Sequence, residues 1–249
     1  MSEMERFRRW AKDAATDPDV ESVSIPAATV IVVRDTDDGL ETLILRRDSK
    51  LAFAGGMWVF PGGRVDEQDH LDAVGDPTVS EPDELAVAQL AAVREAHEES
   101  GLRLDAGSLV TFSHWEPPPI TPKRFSTWFF LAPAPPDSDD VTIDDGEIRE
   151  HAWLRPAEAL ERREAGEIEL APPTWVSLWE LSLQETVDDA LAATAARTPE
   201  HFTTKVAFTD GGVIALWHGD AGYDDADADR PGSRHRLEMV ETGWRYERS

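Results

Sequence analysis

The chain has 249 residues, 41% of them hydrophobic and 8% aromatic, enough for one generous domain or a domain with an appendage. It contains no Cys, which excludes disulfides, thiolate catalysis and Cys-ligated zinc or iron–sulfur centres. A net charge of −26, from 50 acids against 24 Lys and Arg, gives a surface that repels DNA, RNA and anionic membranes, so neither a nucleic-acid polymer nor a membrane is expected as partner.

Residues 1–24 predict a short amphipathic helix, with Phe7, Trp10 and Ala14 at helical spacing. From Ile25 the texture becomes β-rich. AATVIVVRD and ETLILRR read as strands about the turn signal TDDG, and MWVFPGGRVDE as a further strand running into a Gly-Gly loop. The longest strongly apolar run, AATVIVV at 27–33, is far short of a membrane span, and the opening MSEMERFRRWAKDA has no secretory apolar core; a cytoplasmic location is expected. Residues 68–80 are polar and turn-rich. A helix then starts near Ser80–Pro82, where Ser caps and Pro is tolerated, and stops at Gly101. LVTFSHW and RFSTWFFLA predict strands joined by the Pro-rich EPPPITPK, and PAPPDSDDVTIDDGE an acidic loop. IREHAWL is a strand, followed by a helix over 156–165, and a helix opening in PPTWVSLWELS continues to Ala196. KVAFTDGGVIALW and RHRLEMVETGWRYER each predict two strands about a turn, with HGDAGYDDADADRPGS as a loop between them. The expected organisation is a segment 1–24, a domain 25–183 with an insertion at about 67–83, and a helix and β-hairpin extension over 184–249.

The stretch AVREAHEESG at 92–101 carries the chemistry. Leu85, Gln89, Ala92, Val93 and Ala96 share a helix face that can pack inward. Glu95, Glu98 and Glu99 fall within an arc of about 100° beside it. Like charges at these spacings repel by a few tenths of a kcal/mol per pair, and Arg94 is the one obvious base nearby within the helix. A solvated face would intersperse Lys and Arg. A hard cation such as Mg²⁺ would resolve the repulsion with carboxylate oxygens. On helix geometry alone, that reading and an ordinary acidic surface are equally good. FPGGRVDE adds an open backbone that can approach an ion or phosphate, although Pro-Gly-Gly alone is usually just a turn.

Together, PGG and REAHEESGL resemble the Nudix box, G-x5-E-x7-R-E-U-x-E-E-x-G-U with U apolar. Arg94, Glu95, Ala96, Glu98, Glu99, Gly101 and Leu102 fill its second half without a gap. The first half departs: Gly63 lies 31 residues before Arg94 where the uninterrupted motif has 14, an insertion of 17 residues. Ala86 stands where the motif has Glu, the residue that pairs with the Arg in that family. Glu67, Glu81 and Glu84 are the candidates to replace it. The interrupted box, with FAGGMWVFPGG, RFSTWFFLA and WLRPAEALERREAGEIELAPPTWVSLWEL, is similar to the Nudix subgroup that includes peroxisomal acyl-coenzyme A diphosphatases.

This resemblance implies an α/β fold, the Nudix α/β/α sandwich with a mixed sheet, here with a short N-terminal helix and a C-terminal β-rich extension. It implies a hydrolase cleaving the diphosphate linkage of a small-molecule nucleotide, with coenzyme A or acyl-coenzyme A first and ADP-ribose or a dinucleotide as alternatives. A non-catalytic Nudix-like module for nucleotide binding or protein interaction is the competing class. The cofactor is Mg²⁺ or Mn²⁺, held by Glu95, Glu98 and Glu99, with a backbone oxygen of Gly62 or Gly63 added. Arg94 orients the carboxylates. The general base is a helix glutamate or a later acid; Glu147 is the first choice, set against its reading as a solvated loop acid. Arg46, Arg47, Arg64, Lys123 and Arg124 are the bases best placed to meet an anionic substrate, although each taken singly reads first as a surface charge. Trp58, Trp115 and Trp128 read as core rather than stacking platforms, and His97 and His114 as structural. A homodimer is expected by family analogy.

Overall fold

Two Val/Ile-rich runs form the hairpin expected of them. β1 (Ser24–Thr36) and β2 (Gly39–Arg47) pair antiparallel with Thr36 opposite Gly39, and Gly39 takes a φ of 112° that suits a residue without Cβ. The computed structural model describes residues 24–51, 54–74, 83–121, 124–143, 146–240 and 242–249. The helix expected before Ser24, the helix start expected at Ser80–Pro82, Glu81 and Lys123 lie outside these residues.

β3 (Trp58–Val59) pairs with β2, and β4 (Gly62–Arg64) pairs antiparallel with β1. The Gly-Gly pair expected in a loop is therefore a strand, with Gly62 opposite Thr29 and Gly63 opposite Ala28. The turn-rich reading of 68–80 also needs correcting at its start, where Glu67–Ala73 forms a helix, α1. α2 (Glu84–Ser100) is capped by the Asp83 side chain on the Leu85 N–H and ends at Gly101, whose φ of 75° lets its N–H reach His97 O.

A single 3₁₀ turn, Ala106–Ser108, leads to β5 (Val110–Glu116) and β6 (Arg124–Pro133). β7 (Ile148–Leu154) follows and pairs with β2. α3 (Pro156–Glu164) matches its expected position. The long helix expected through Ala196 is instead two, α4 (Pro172–Leu181) and α5 (Val187–Ala195). Thr186 starts the second by accepting the Asp189 N–H at 3.1 Å.

The chain divides into two compact units. The larger, Pro26–His114 with Thr127–Glu200, holds strands in the order β3-β2-β1-β6-β5, with β4 on β1 and β7 on β2. Side chains alternate across β1. Ala28, Val30 and Val32 pack with Leu43, Leu45 and the Ala88, Ala91, Ala92 and Ala96 stripe of α2. Ile31, Val33 and Ile44, equally buried, serve the opposite face, where α3 packs on β2. A sheet covered on both sides accounts for strands that read as continuous apolar runs. The α/β fold expected from the sequence is the fold observed.

The smaller unit comprises Trp115–Ser126 and His201–Ser249 among its described parts. β9 (Lys205–Phe208), β10 (Gly212–Leu216), β11 (His235–Val240) and β12 (Gly243–Arg248) form the two expected hairpins in one four-stranded sheet, preceded by the short β8 (Glu200–Thr203). Trp115 stacks on Phe202 at 3.8 Å, and Trp217 meets both edge-on. Among all described residues, no helix is long and apolar enough to cross a membrane.

Candidate active site

The site is built where α2 lies against β4. Small alanines let the helix approach the sheet closely, and its buried face is turned further toward the acids than the sequence pattern suggested. Val87, Ala88, Ala91, Ala92 and Ala96 are buried, while Leu85 and Val93 are only partly so. Glu99 follows on the same buried side, with its side chain 7% exposed. Its Oε2 accepts the Gly62 N–H at 2.9 Å. The contact at Gly62 is thus made by its amide. Gly63 leaves room for Glu95: a Cβ there would stand 2.5 Å from both Glu95 carboxylate oxygens.

Arg94 organises the rest. A guanidinium has five N–H donors, and all five are used here. Nε donates to Asp69 Oδ1 and Nη2 to Asp69 Oδ2, each at 2.9 Å. Nη2 also donates to Arg64 O at 2.9 Å. Nη1 donates to Glu95 Oε1 at 2.9 Å and to Glu98 Oε2 at 3.2 Å. With all five donors engaged, Arg94 holds Asp69, Glu95 and Glu98 in place around it.

Asp69 was not among the residues singled out by sequence. Its side chain is 3% exposed, and its Oδ2 also accepts the Asp66 N–H at 2.8 Å. Of the candidates to partner Arg94, Glu67 is exposed at the start of α1. Glu84 accepts from Trp128 Nε1 at 3.5 Å. The available signal was the spacing from Gly63: Asp69 stands six residues on, where the motif measured from its glycine has the acid.

Burial dominates the electrostatics. It pushes the Glu99 carboxyl up to about 8 against the pull of the Gly62 N–H and Arg47, with the charges of Glu95 and Glu147 adding to the rise. Burial likewise raises Glu95, opposed by Arg94 and assisted by Glu98 and Asp66. At Asp69 burial acts upward too, but the Arg94 and Asp66 hydrogen bonds prevail and hold it below the usual carboxylate range.

The remaining expected residues fall in several places. Arg47 lies between two acids, with Nη2 donating to Glu147 Oε2 at 2.9 Å and Nη1 standing 3.7 Å from Glu99 Oε1. Glu147 is thereby tied to the α2 carboxylates, and its side chain is 57% exposed. Arg46 pairs with Glu150 at 2.7 Å. The Arg64 side chain is exposed. Arg124 belongs to the smaller unit and donates to Pro117 O at 3.2 Å. His97 stands 3.2 Å from Gly101 O, and His114 is buried 4.4 Å from the Trp128 ring.

Among the described residues no three acidic or imidazole groups form a ready-made metal cage. The donor set nevertheless fits a hard divalent ion in its chemistry. Glu95 and Glu99 are carboxylates whose charge burial penalises, and Glu98, 58% exposed, can move toward them. Arg94 uses only one oxygen of Glu95 and one of Glu98.

The NUDIX domain family model matches residues 24–174. A relative, putative nudix hydrolase 7 of Caenorhabditis elegans, is 27% identical over 191 residues, 63% of this chain. The match spans only 60% of that relative's length. Among solved structures, the NUDIX hydrolase from Alicyclobacillus acidocaldarius superposes with a TM-score of 0.61 at 22% identity. That superposition covers 71% of this chain and 99% of the other, and it shows a common fold.

Proposed function

Because the chain belongs to the NUDIX domain family, we propose that it hydrolyses the diphosphate linkage of a nucleoside diphosphate derivative with Mg²⁺ or Mn²⁺, coenzyme A or an acyl derivative being the substrate. One observation carries this reading. Of two carboxylates one helix turn apart beside a glycine strand, Glu99 is buried and Glu95 partly so, and the single guanidinium between Glu95 and Glu98 is shared and saturated. Buried charges of this kind are paired or coordinate metals. The choice of coenzyme A rests on sequence resemblance alone, in the interrupted box and the segments FAGGMWVFPGG, RFSTWFFLA and WLRPAEALERREAGEIELAPPTWVSLWEL.

A bound divalent ion supplies charge screening at the diphosphate and a water of lowered pKa. The chain's own residues do the rest. Gly62 N–H holds Glu99 in place, and Arg94 holds Glu95 and Glu98 each by one oxygen. Glu147, held by Arg47 and open to solvent, accepts the proton of the attacking water. A P–O bond of the anhydride breaks as the new one forms, and the leaving phosphate carries away the bridging oxygen.

The test is turnover on coenzyme A, acetyl-coenzyme A, ADP-ribose, NADH, diadenosine polyphosphates and dNTPs, with Mg²⁺ and with Mn²⁺, beside a Glu98→Gln variant. The expected result is metal-dependent cleavage of coenzyme A or its acyl form, lost in the variant. Cleavage of ADP-ribose or a dinucleotide instead corrects the substrate. Nucleotide binding without turnover under saturating metal overturns the enzymatic reading in favour of a binding module.

A further inference from the structure

We propose that Arg149 and Asp48 are positioning residues for Glu147: their ion pair keeps β7 in a bulged register against β2, and that register sets Glu147 beside Arg47. The catalytic consequence rests on reading Glu147 as the proton acceptor of the proposed reaction, whereas the register itself is measured without turnover.

The rungs between β2 and β7 carry the irregularity. Leu45 stands opposite His151 and Arg46 opposite Glu150, but the next rung joins Arg47 to Ile148. Arg149 is the extra residue of a β-bulge, a device that re-aims side chains and recurs beside active sites. Without the shift, the ladder would set Arg149 opposite Arg47, and like charges on one rung are destabilising. Ile148 would then stand opposite Asp48, and Glu147 opposite Ser49. The bulge draws Glu147 back by one residue, about 3.4 Å along the strand.

Three contacts belong to the bulged register. Ile148 is fully buried and joins Leu43 and Leu45 in the core against the α2 alanines. The Asp48 N–H donates to Glu147 O at 2.7 Å, which fixes the Glu147 backbone. Arg47 shares the α2-facing side of β2 with Leu43 and Leu45 by alternation. From there its Nη2 donates to Glu147 Oε2 at 2.9 Å, while Nη1 stands 3.7 Å from Glu99. The extra residue is what brings Glu147 to the α2 acids.

Asp48 holds the bulge. Arg149, displaced from the ladder, donates its Nε to Asp48 Oδ2 at 2.8 Å, with Nη2 on the same oxygen. Asp48 is buried and anchored in turn: its Oδ1 accepts the Lys50 N–H at 2.9 Å and its backbone O the Leu51 N–H at 3.0 Å. Once the pair is broken, residues 148–149 are free to relax toward the regular ladder, and Glu147 slides away from Arg47. The Arg149 side chain is 47% exposed, so the pair adds little to global stability and its loss is felt locally.

The experiment uses Asp48→Asn and Arg149→Met, the second a change at an exposed side chain that keeps its aliphatic stem. NMR reads the register from the cross-strand contact of Arg47 with Ile148 and from exchange protection of the Asp48 N–H. Both variants are expected to lose these signals. Each should also lower kcat by about 100-fold, the effect of displacing a reacting group by an ångström or more, with KM and Mn²⁺ affinity unchanged. Arg149→Lys recovers part of both the register and the rate. In a Glu147→Gln chain, Arg149→Met is expected to lower kcat no further. Wild-type register in Arg149→Met overturns the inference, and that variant decides alone if Asp48→Asn does not fold. A matching fall in Mn²⁺ affinity, or a further loss of rate in the double variant, also overturns it. If the wild type cleaves nothing, or Glu147→Gln turns over normally, the reading of Glu147 as proton acceptor fails. Loss of the register in Arg149→Met then still sustains the placement of Glu147 by the bulge.

Discussion

Gly63 in β4 leaves open the volume that the Glu95 carboxylate fills, since a Cβ there would stand 2.5 Å from both of its oxygens. Backbone pairing with β1 holds Gly63 opposite Ala28, so β4 has little freedom to retreat. Gly63→Ala is expected to displace Glu95, costing about 1–3 kcal/mol of stability through overpacking and lowering Mn²⁺ affinity about tenfold or more. Thermal unfolding and a metal titration of the same sample check both parts. Unchanged affinity would remove Glu95 from the ligand set.

Glu99 gives the site a pH dependence. Its folded pKa of about 8 lies above the ordinary 4.5, so the folded chain prefers the protonated acid. Its favourable contribution to stability is full below the ordinary carboxylate range and is lost as pH rises through about 8. Under the proposed function, a cation loaded on Glu99 reverses that preference. Near pH 7 the loading should therefore release a proton, seen as a buffer-dependent heat in calorimetric titration, and the release should vanish in Glu99→Gln. Metal should raise the unfolding temperature more at pH 9 than at pH 6.

Glu147 is bound by Arg47, and its side chain remains 57% exposed. Under the proposed function it accepts the water proton, and Glu147→Gln should then lower kcat by about 10²- to 10⁴-fold. Turnover equal to wild type would exclude it from the mechanism and leave a helix glutamate as the base.

In the smaller unit, Asp220 and Arg236 form a buried two-pronged pair, with both bonds at 2.7 Å. Asp220 also accepts the Gly222 and His235 N–H groups. Asp220→Ala strands the guanidinium and should destabilise that unit by about 3–5 kcal/mol. Burial would raise the Asp220 pKa, but these donors overcome it and bring the acid from 3.8 down to about 2. The contribution is therefore full above the ordinary value and lost as pH falls toward 2. Denaturation of variant and wild type should converge over that acid range.

The strands of the sheet were legible because apolar runs and turn residues agree: TDDG marks the β1–β2 turn, and IREHAWL coincides with β7. The break between α4 and α5 was hidden by a helix-compatible composition, although Thr186 with Asp189 is a readable cap. β4 was misjudged because glycines signal turns locally, whereas here their missing side chains admit Glu95 and the Thr29 side of β1. At the site, the α2 spacing singled out Arg94 and its glutamates. Asp69 stayed hidden because the insertion shifts the count: measured back from Arg94 the acid position falls on Ala86, measured on from Gly63 it falls on Asp69. Arg47 was legible as a base near the site, yet which acids it meets depends on the register of β2 against β7.

The company that Arg94 and Arg47 keep has a kinetic consequence. Asp66, Asp69, Glu95 and Glu98 surround the first, and Glu99 and Glu147 flank the second. Acids outnumber bases throughout, and both guanidinium groups already face carboxylates. A diphosphate arriving at the bare protein thus meets repulsion, which a divalent ion must first cancel. Under the proposed function, association follows a compulsory order, ion before nucleotide. Equilibrium dialysis should then find no nucleotide retained until metal is supplied.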